Sequence, residues 1–264
     1  MLRSSDERTM TGPALLDPDE PGPATFDNEG GQSIFFLTCD HGGRAIPRRL
    51  GRLGLAEPDT MRHIAWDIGI AGVGRLLSPM LDAALIVQTY SRLVIDCNRD
   101  PAVPSSIPEL SEDTEIPGNR GLTPASRAAR AEAVFRPYHD RIAAALDRRQ
   151  AEGRASVLVA LHSFTPVFRG VSRPWHVGVL FNRDARLAYP LIGLLRAEGD
   201  LTVRENEPYR VTDLTDYTVP VHGERRGLPY LEIEIRQDLI MEPAGQAAWA
   251  KRLARLLPAA YAKL

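Results

Sequence analysis

Several things are scarce in this chain, and each scarcity excludes something. Cysteine occurs only as Cys39 and Cys97, too few for a disulfide framework. Lysine occurs only as Lys251 and Lys263, so the positive side of the balance is almost wholly arginine, whose forked guanidinium suits carboxylates. A net charge of −2 leaves no electrostatic footprint for nucleic acid or an anionic membrane. No apolar run approaches the roughly 18 residues of a membrane span. Internal repeats, heptads and low-complexity linkers are missing too, which excludes solenoids, coiled coils and fibres. At 264 residues, 44% hydrophobic and 25% charged, the chain is expected to be one large globular domain. Residues 1–31 are rich in Asp, Glu, Pro, Gly and Ser and read as a disordered or loosely packed lead-in. With no apolar core of a secretory signal between Met1 and Glu29, a cytoplasmic location is the expectation.

From residue 32 to 264 strand and helix patterns alternate. Ser33 to Cys39 is a continuous apolar run ending at Asp40-His41-Gly42-Gly43, the mark of a strand buried on both faces. A helix is predicted from Asp67 to about Leu81, a strand over 84–90 and a further one over 93–97. Residues 100–123 carry Pro104, Pro108, Pro117, Gly118 and Gly121 without periodicity, and a loop of that length is usually functional. Thr123-Pro124 supplies an N-cap and a first-turn proline for a helix striped by Val134, Phe135, Tyr138, Ile142 and Leu146, with a kink predicted at Pro137. Strands follow at 157–161, 176–181 and 231–236, with helices over 185–197 and from Pro243 onward. The order predicts an α/β class fold, a single three-layer α/β/α sandwich with a mixed, mainly parallel sheet.

The informative residues are polar ones at strand ends, where α/β sheets bind ligands. His41 and His162 each follow an apolar strand, and Asp67 heads a helix. Together they could make a three-ligand zinc site with an open fourth position. Singly, each also reads as a turn residue, a core histidine or a helix cap. Glu234 lies on a strand where Glu232, Glu234 and Arg236 share one face; it reads equally as a general base or as part of a charge ladder on a solvent-facing edge. Asn98 and Arg99, after Asp96, suit a substrate carboxylate, and Arg92 could polarise a carbonyl; a structural Asp96–arginine pair is the competing reading. A nucleophilic Cys39 or Cys97 is a third reading, set against each adjoining an apolar run.

The strings Cys39-Asp40-His41-Gly42-Gly43-Arg44-Ala45-Ile46-Pro47, His63-Ile64-Ala65-Trp66-Asp67, Ser91-Arg92-Leu93-Val94-Ile95-Asp96-Cys97-Asn98-Arg99 and Leu161-His162-Ser163-Phe164-Thr165-Pro166 together resemble the N-formylglutamate amidohydrolase family. Arg173-Pro174-Trp175-His176, Asn206-Glu207-Pro208-Tyr209, the segment Asp216 to His222 and Glu232 to Asp238 extend the likeness. It covers residues 33 to the C-terminus, so the resemblance implies a hydrolase domain over 32–264.

The resemblance implies a fold similar to zinc carboxypeptidases and aspartoacylases, and a zinc-dependent amidohydrolase. Its substrate would be a small N-acyl amino acid, with N-formyl-L-glutamate first and histidine degradation the setting. It implies that His41 and His162 are metal ligands. The carboxypeptidase pattern has a glutamate three residues after the first histidine; Arg44 stands there, so Asp67 is the implied replacement and Asp40 the runner-up. Glu234 is the implied general base, Asn98 and Arg99 the grip on the α-carboxylate, and Arg92 the partner of the scissile carbonyl. Tyr217 and His222 fall in a segment expected to close over substrate. Zn2+ is the implied cofactor, with Co2+, Ni2+ or Mn2+ as alternatives. A hydrolase of another acyl group or small peptide, or a non-catalytic binding protein on the same fold, are the competing functions.

Overall fold

The computed structural model describes residues 14–264. Its seven-stranded sheet is built from β1 (Ala24–Asp27), β2 (Phe35–Cys39), β3 (Ala84–Gln88), β4 (Val157–Phe164), β5 (Val177–Leu180), β6 (Val203–Glu205) and β7 (Tyr230–Arg236). Their order is β1-β3-β2-β4-β7-β5-β6. The central strands β3, β2, β4 and β7 run parallel. β5 turns antiparallel to β7, β6 follows β5 in parallel, and β1 lies antiparallel on β3. The helices are α1 (Ile70–Leu81), α2 (Pro124–Arg130), α3 (Arg136–Ala151), α4 (Ala188–Ala197) and α5 (Pro243–Tyr261).

Alternate residues of the strands feed two cores, since successive side chains point to opposite faces. Leu37, Leu85, Val159, Leu161 and Ile233 meet Val73 and Leu77 of α1, Leu191 and Leu195 of α4, and Trp249 and Leu253 of α5. On the other face Phe36, Ile86, Leu158 and Ala160 meet Tyr138, Ile142 and Leu146 of α3. The three-layer sandwich with a mixed sheet is therefore present. Burial of strand residues on both faces explains their continuous apolar runs.

Some elements differ from expectation. The proposed lead-in falls partly on residues 1–13, which lie outside the described residues; residues 14–31 are packed. Ala24–Asp27 adds β1 to the sheet, Tyr90 donates its hydroxyl proton to the Pro21 carbonyl, and Asp17 pairs with Arg49. An edge strand with one neighbour needs little apolar patterning, which hid it among Pro and Gly. Leu93 to Cys97 is fully buried but turns rather than pairing: Asp96 N donates to Ser106 O at 2.7 Å and Asn98 N to the Asp96 carboxylate. The predicted kink at Pro137 is taken up by a wide π turn, Ala131–Phe135, which joins α2 to α3 ahead of the proline.

The long segment 100–123 is held from within. Arg130, 2% exposed, donates to Val94 O at 2.9 Å, to Gly118 O at 3.0 Å and to Asn119 Oδ1 at 2.6 Å. The Asn119 amide in turn donates to Leu93 O and Pro108 O. These bonds fasten the segment as one wall over the carboxyl ends of β2 and β3.

Candidate active site

A cavity of about 480 Å³ opens at the carboxyl ends of the parallel strands. His41, in the turn after β2, Asp67, Arg92, Asp96, Asn98, Arg99, His162, Glu232 and Glu234 all line it, together with residues of the 100–123 wall. His162 does not follow its strand, as expected, but lies within β4. The ladder to β7 continues past it, with Glu234 opposite His162 and Arg236 opposite Phe164. Parallel partners in register share a face, so the imidazole and the carboxylate project to the same side. β7 lies between β4 and β5, so the reading of Glu232 and Glu234 as a solvent-facing edge ladder does not hold: they are 3% and 4% exposed.

Asp67 is not a cap. α1 begins at Ile70 after Gly69, which has φ 83° and gives no side-chain cap bond. The Asp67 carboxylate instead accepts from Ser163 N at 3.2 Å and meets His162 Nδ1 at 3.0 Å and His41 Nδ1 at 3.5 Å. His41, Asp67 and His162 can each offer a ligand atom, all within 4.8 Å of one another, and all three residues are buried. The other edge of each ring has its own carboxylate. His41 Nε2 meets Asp96 Oδ1 at 2.7 Å; His162 Nε2 faces Asp40 Oδ2 at 3.3 Å. Asp40 is steadied by hydroxyl protons from Tyr138 (2.6 Å) and Thr218 (2.8 Å), both on its other oxygen. Asp40, the runner-up ligand, thus stands behind His162.

The donor set fits a divalent metal. His41 Nδ1 is buried without a hydrogen-bond partner, as are Glu232 Oε2 and Glu234 Oε2, and both imidazoles turn Nδ1 toward the Asp67 carboxylate. Buried polar atoms left unpaired are costly unless something else engages them. Two imidazoles, one carboxylate and open space beside them suit a divalent metal with an open position, and carboxylates behind the imidazoles suit its outer shell.

Electrostatics divide the carboxyls. Asp96 is held well below the usual range: burial opposes ionisation, but Arg92, with Nη2 2.6 Å away, and His41 outweigh it. Burial pushes Glu234 up to about 7, with His162 pulling down and Asp67 adding to the rise. A carboxyl poised near neutrality is suited to taking and returning a proton. Glu232, deeper on the same face, is raised further, again chiefly by burial. Both cysteines are fully buried with thiols pushed up by burial, which excludes a thiolate nucleophile.

The remaining expected residues separate. Arg92 bridges Asp96 and Asp67 at the cavity wall, and Arg99 approaches Asp96 at 3.7 Å with its other donors open. The Asn98 side chain is spent on the protein: Oδ1 accepts from Tyr217 N and Thr218 N, and Nδ2 donates to Asp216. Tyr217 and His222 do not line the cavity. Tyr217, its backbone N–H held by Asn98 Oδ1, packs on Phe135 and His139, and His222, in a π turn over Val219–Gly223, bonds His139 at 3.0 Å. Their positions do not offer the expected substrate contacts.

Sequence reasoning left three features without a role: the Asp40–Tyr138–Thr218 support, Glu232, and an aromatic wall of Phe164, Phe168 and Tyr209. Burial on a central strand would have been the signal for Glu232. Gly178 places the wall: it lies opposite Glu234, and a Cβ there would sit 1.7 Å from Glu207 O. Only glycine lets the 206–209 segment press against β5 and carry Tyr209 over the cavity.

A mixed α/β sheet with such a polar cavity at its parallel strand ends has the layout of an α/β protein that binds a small ligand there. The model of the N-formylglutamate amidohydrolase family matches residues 33–241, and the chain belongs to that family. A crystal structure of a gene product from Agrobacterium tumefaciens is 41% identical, superposing with a TM-score of 0.90 over 94% of this chain and 98% of that one. An N-formylglutamate amidohydrolase from Ralstonia eutropha is 22% identical, with a TM-score of 0.65 over 92% of this chain and 98% of that one, and shares the fold. No curated protein matches the chain. No helix among the described residues is long and apolar enough to cross a membrane.

Proposed function

We propose that this protein is a zinc-dependent amidohydrolase that cleaves N-formyl-L-glutamate to formate and L-glutamate. The observation that carries the reading is the meeting of His41, Asp67 and His162 with Glu234 on one face of one cavity, in a chain of this family. Zinc held by those three residues would supply a Lewis acid that lowers the pKa of water and polarises the acyl oxygen.

The protein's own groups do the rest. Glu234, nearly buried and poised near neutrality, takes a proton from the attacking water and delivers it to the departing amine nitrogen. Arg92 keeps its guanidinium beside that carboxyl and the reacting carbonyl because Asp96 grips it through Nε and Nη2. Arg99, whose donors are largely unspent, binds the α-carboxylate. Asn98 serves that grip indirectly, tying the 216–218 backbone against the arginine's own turn.

The test is formate release from N-formyl-L-glutamate by zinc-loaded protein beside a chelated sample. Release that stops on chelation and returns with zinc is the expected result. Release that survives full metal removal overturns the metal mechanism, and no release from protein with stoichiometric zinc overturns the substrate.

A further inference from the structure

An N-acyl amino acid brings two kinds of polar group to a cavity: oxygens, which need donors, and an amide N–H, which needs an acceptor. Arg92 and Arg99 answer the oxygens; nothing among the groups already assigned receives the N–H. The aspartates of the cavity are committed elsewhere. Asp67 faces both imidazoles, Asp96 holds Arg92 and His41, and Asp216 accepts from Asn98, Thr212 and Thr215.

His63 lines the same cavity without a part in the reaction so far, and its side chain is 21% exposed. Its Nε2 is enclosed and lies 3.1 Å from Glu112 Oε2, while Nδ1 has no hydrogen-bond partner among the described residues and stays open. Glu112 is placed for that contact by a short hairpin, Leu110–Ser111 against Thr114–Glu115, whose turn holds it at φ 51°, a conformation costly for a residue with a side chain. Arg62 fixes the hairpin, donating from Nη2 to Glu112 at 3.1 Å and from Nη1 to Thr114 Oγ1 at 2.7 Å. Burial holds His63 below the ordinary histidine value, with Glu112 opposing and Arg62 and Arg92 adding to the fall, so the ring is neutral near neutral pH. A neutral imidazole carries one proton, and the adjacent carboxylate draws it to Nε2, which leaves a lone pair on Nδ1. The 63–65 segment is docked against the turn that carries Arg92: Ala65 O accepts from Arg92 N at 3.2 Å and from Ser91 Oγ at 2.7 Å.

We propose that His63 is a specificity-determining residue whose Nδ1 accepts the amide N–H of the substrate, with Glu112 positioning the ring, so that substrates with a substituted amide nitrogen, as in an imino acid, are excluded. The inference rests on the amidohydrolase reading above and deepens it. An N-alkyl amide presents a carbon to Nδ1 where the secondary amide presents a proton, and an ester presents an oxygen lone pair; each leaves the imidazole unanswered.

The test is binding of N-formyl-L-glutamate and of its ester isostere, (S)-2-formyloxyglutarate, to zinc-loaded Glu234→Gln protein, in which turnover is stalled. The amide is expected to bind about tenfold or more tightly than the ester, as a site built around an N–H requires. His63→Phe in that background collapses the ratio toward unity by weakening the amide and leaving the ester's affinity unchanged. His63→Asn, whose side-chain oxygen stands where Nδ1 stood, keeps most of the preference, and Glu112→Gln lowers it part of the way. No preference in the parent overturns the proposal. So does a ratio unchanged by His63→Phe, or an equal loss for both ligands, the mark of a packing role; a ratio unchanged by Glu112→Gln removes Glu112 from the positioning role. Should His63→Phe fail to fold, His63→Ala is read against the same two ligands with the same outcomes. Formate release by the wild-type protein is measured separately, so failure of the parent reading shows as absent turnover of N-formyl-L-glutamate, whatever the binding ratio.

Discussion

His41 and His162 face each other with ring centres 5.0 Å apart, each with a carboxylate behind its Nε2 and its Nδ1 turned toward Asp67. His139 and His222, on the far side of Asp40, stack at 14° with Nδ1 and Nε2 3.0 Å apart. No carboxylate orients the second pair: His139 Nε2 donates to the Cys97 carbonyl at 2.7 Å, so its Nδ1 accepts from His222. Burial pushes His139 down to about 4 and His222 to about 3, so both stay neutral. The first pair shares Asp67 at the cavity; the second ties α3 to the 97–98 turn and the 219–223 turn, with His222 Nδ1 left buried and unpaired. Burial and ring proximity are common to both, so these alone do not mark a metal site. Carboxylate backing, a shared third ligand and adjoining open space do.

The contrast can be broken most directly by His162→Ala, which should release the metal and lower activity by more than the roughly 100-fold that outer-shell changes cost, with metal content read by elemental analysis. His139→Ala should keep stoichiometric metal; if it loses metal as His162→Ala does, the two pairs are not functionally distinct. Glu234→Gln should retain zinc while kcat falls by about 10²–10⁴, and loss of zinc with activity would remove Glu234 from the general-base role. Asp40→Asn should weaken metal affinity by about 10- to 100-fold in a chelator competition, with the fold intact because the amide oxygen still accepts from Tyr138 and Thr218. Unchanged affinity would show that the carboxylate behind His162 does not tune it.

Acid sharpens the contrast more gently. Because His139 and His222 titrate lower folded than unfolded, their contribution is complete above about pH 6.5 and is lost as pH falls toward 4, where only the unfolded chain takes up their protons. Each ring contributes a slope of about 1.4 kcal/mol per pH unit in that window. A His139→Gln/His222→Gln double variant should therefore show a shallower fall of Tm between pH 6.5 and 4.5 than the parent. An identical slope would place the acid sensitivity elsewhere.

The layers and the meeting of His41, Asp67 and His162 were legible because they depend on local signals. Runs such as Val157 to Leu161 report burial on both faces, and His41 follows such a run. What was not legible depended on long-range pairing. His162 remains in its strand because β7 continues beside it to Arg236, a register that the run of residues does not encode. Leu93 to Cys97 is as apolar as a strand, yet its backbone bonds go to the following loop. Tyr217 and His222 are polar, near one another and within a string shared with the family, yet neither lines the cavity, both packing on His139 instead.

The Arg130 staple has a consequence for traffic through the site. A wall whose middle is fastened to Val94, Gly118 and Asn119 by a buried guanidinium cannot swing as a lid without stranding that charge. On this side the entrance is a fixed aperture. The width of the cavity mouth on that side is therefore set when the chain folds, before any ligand arrives.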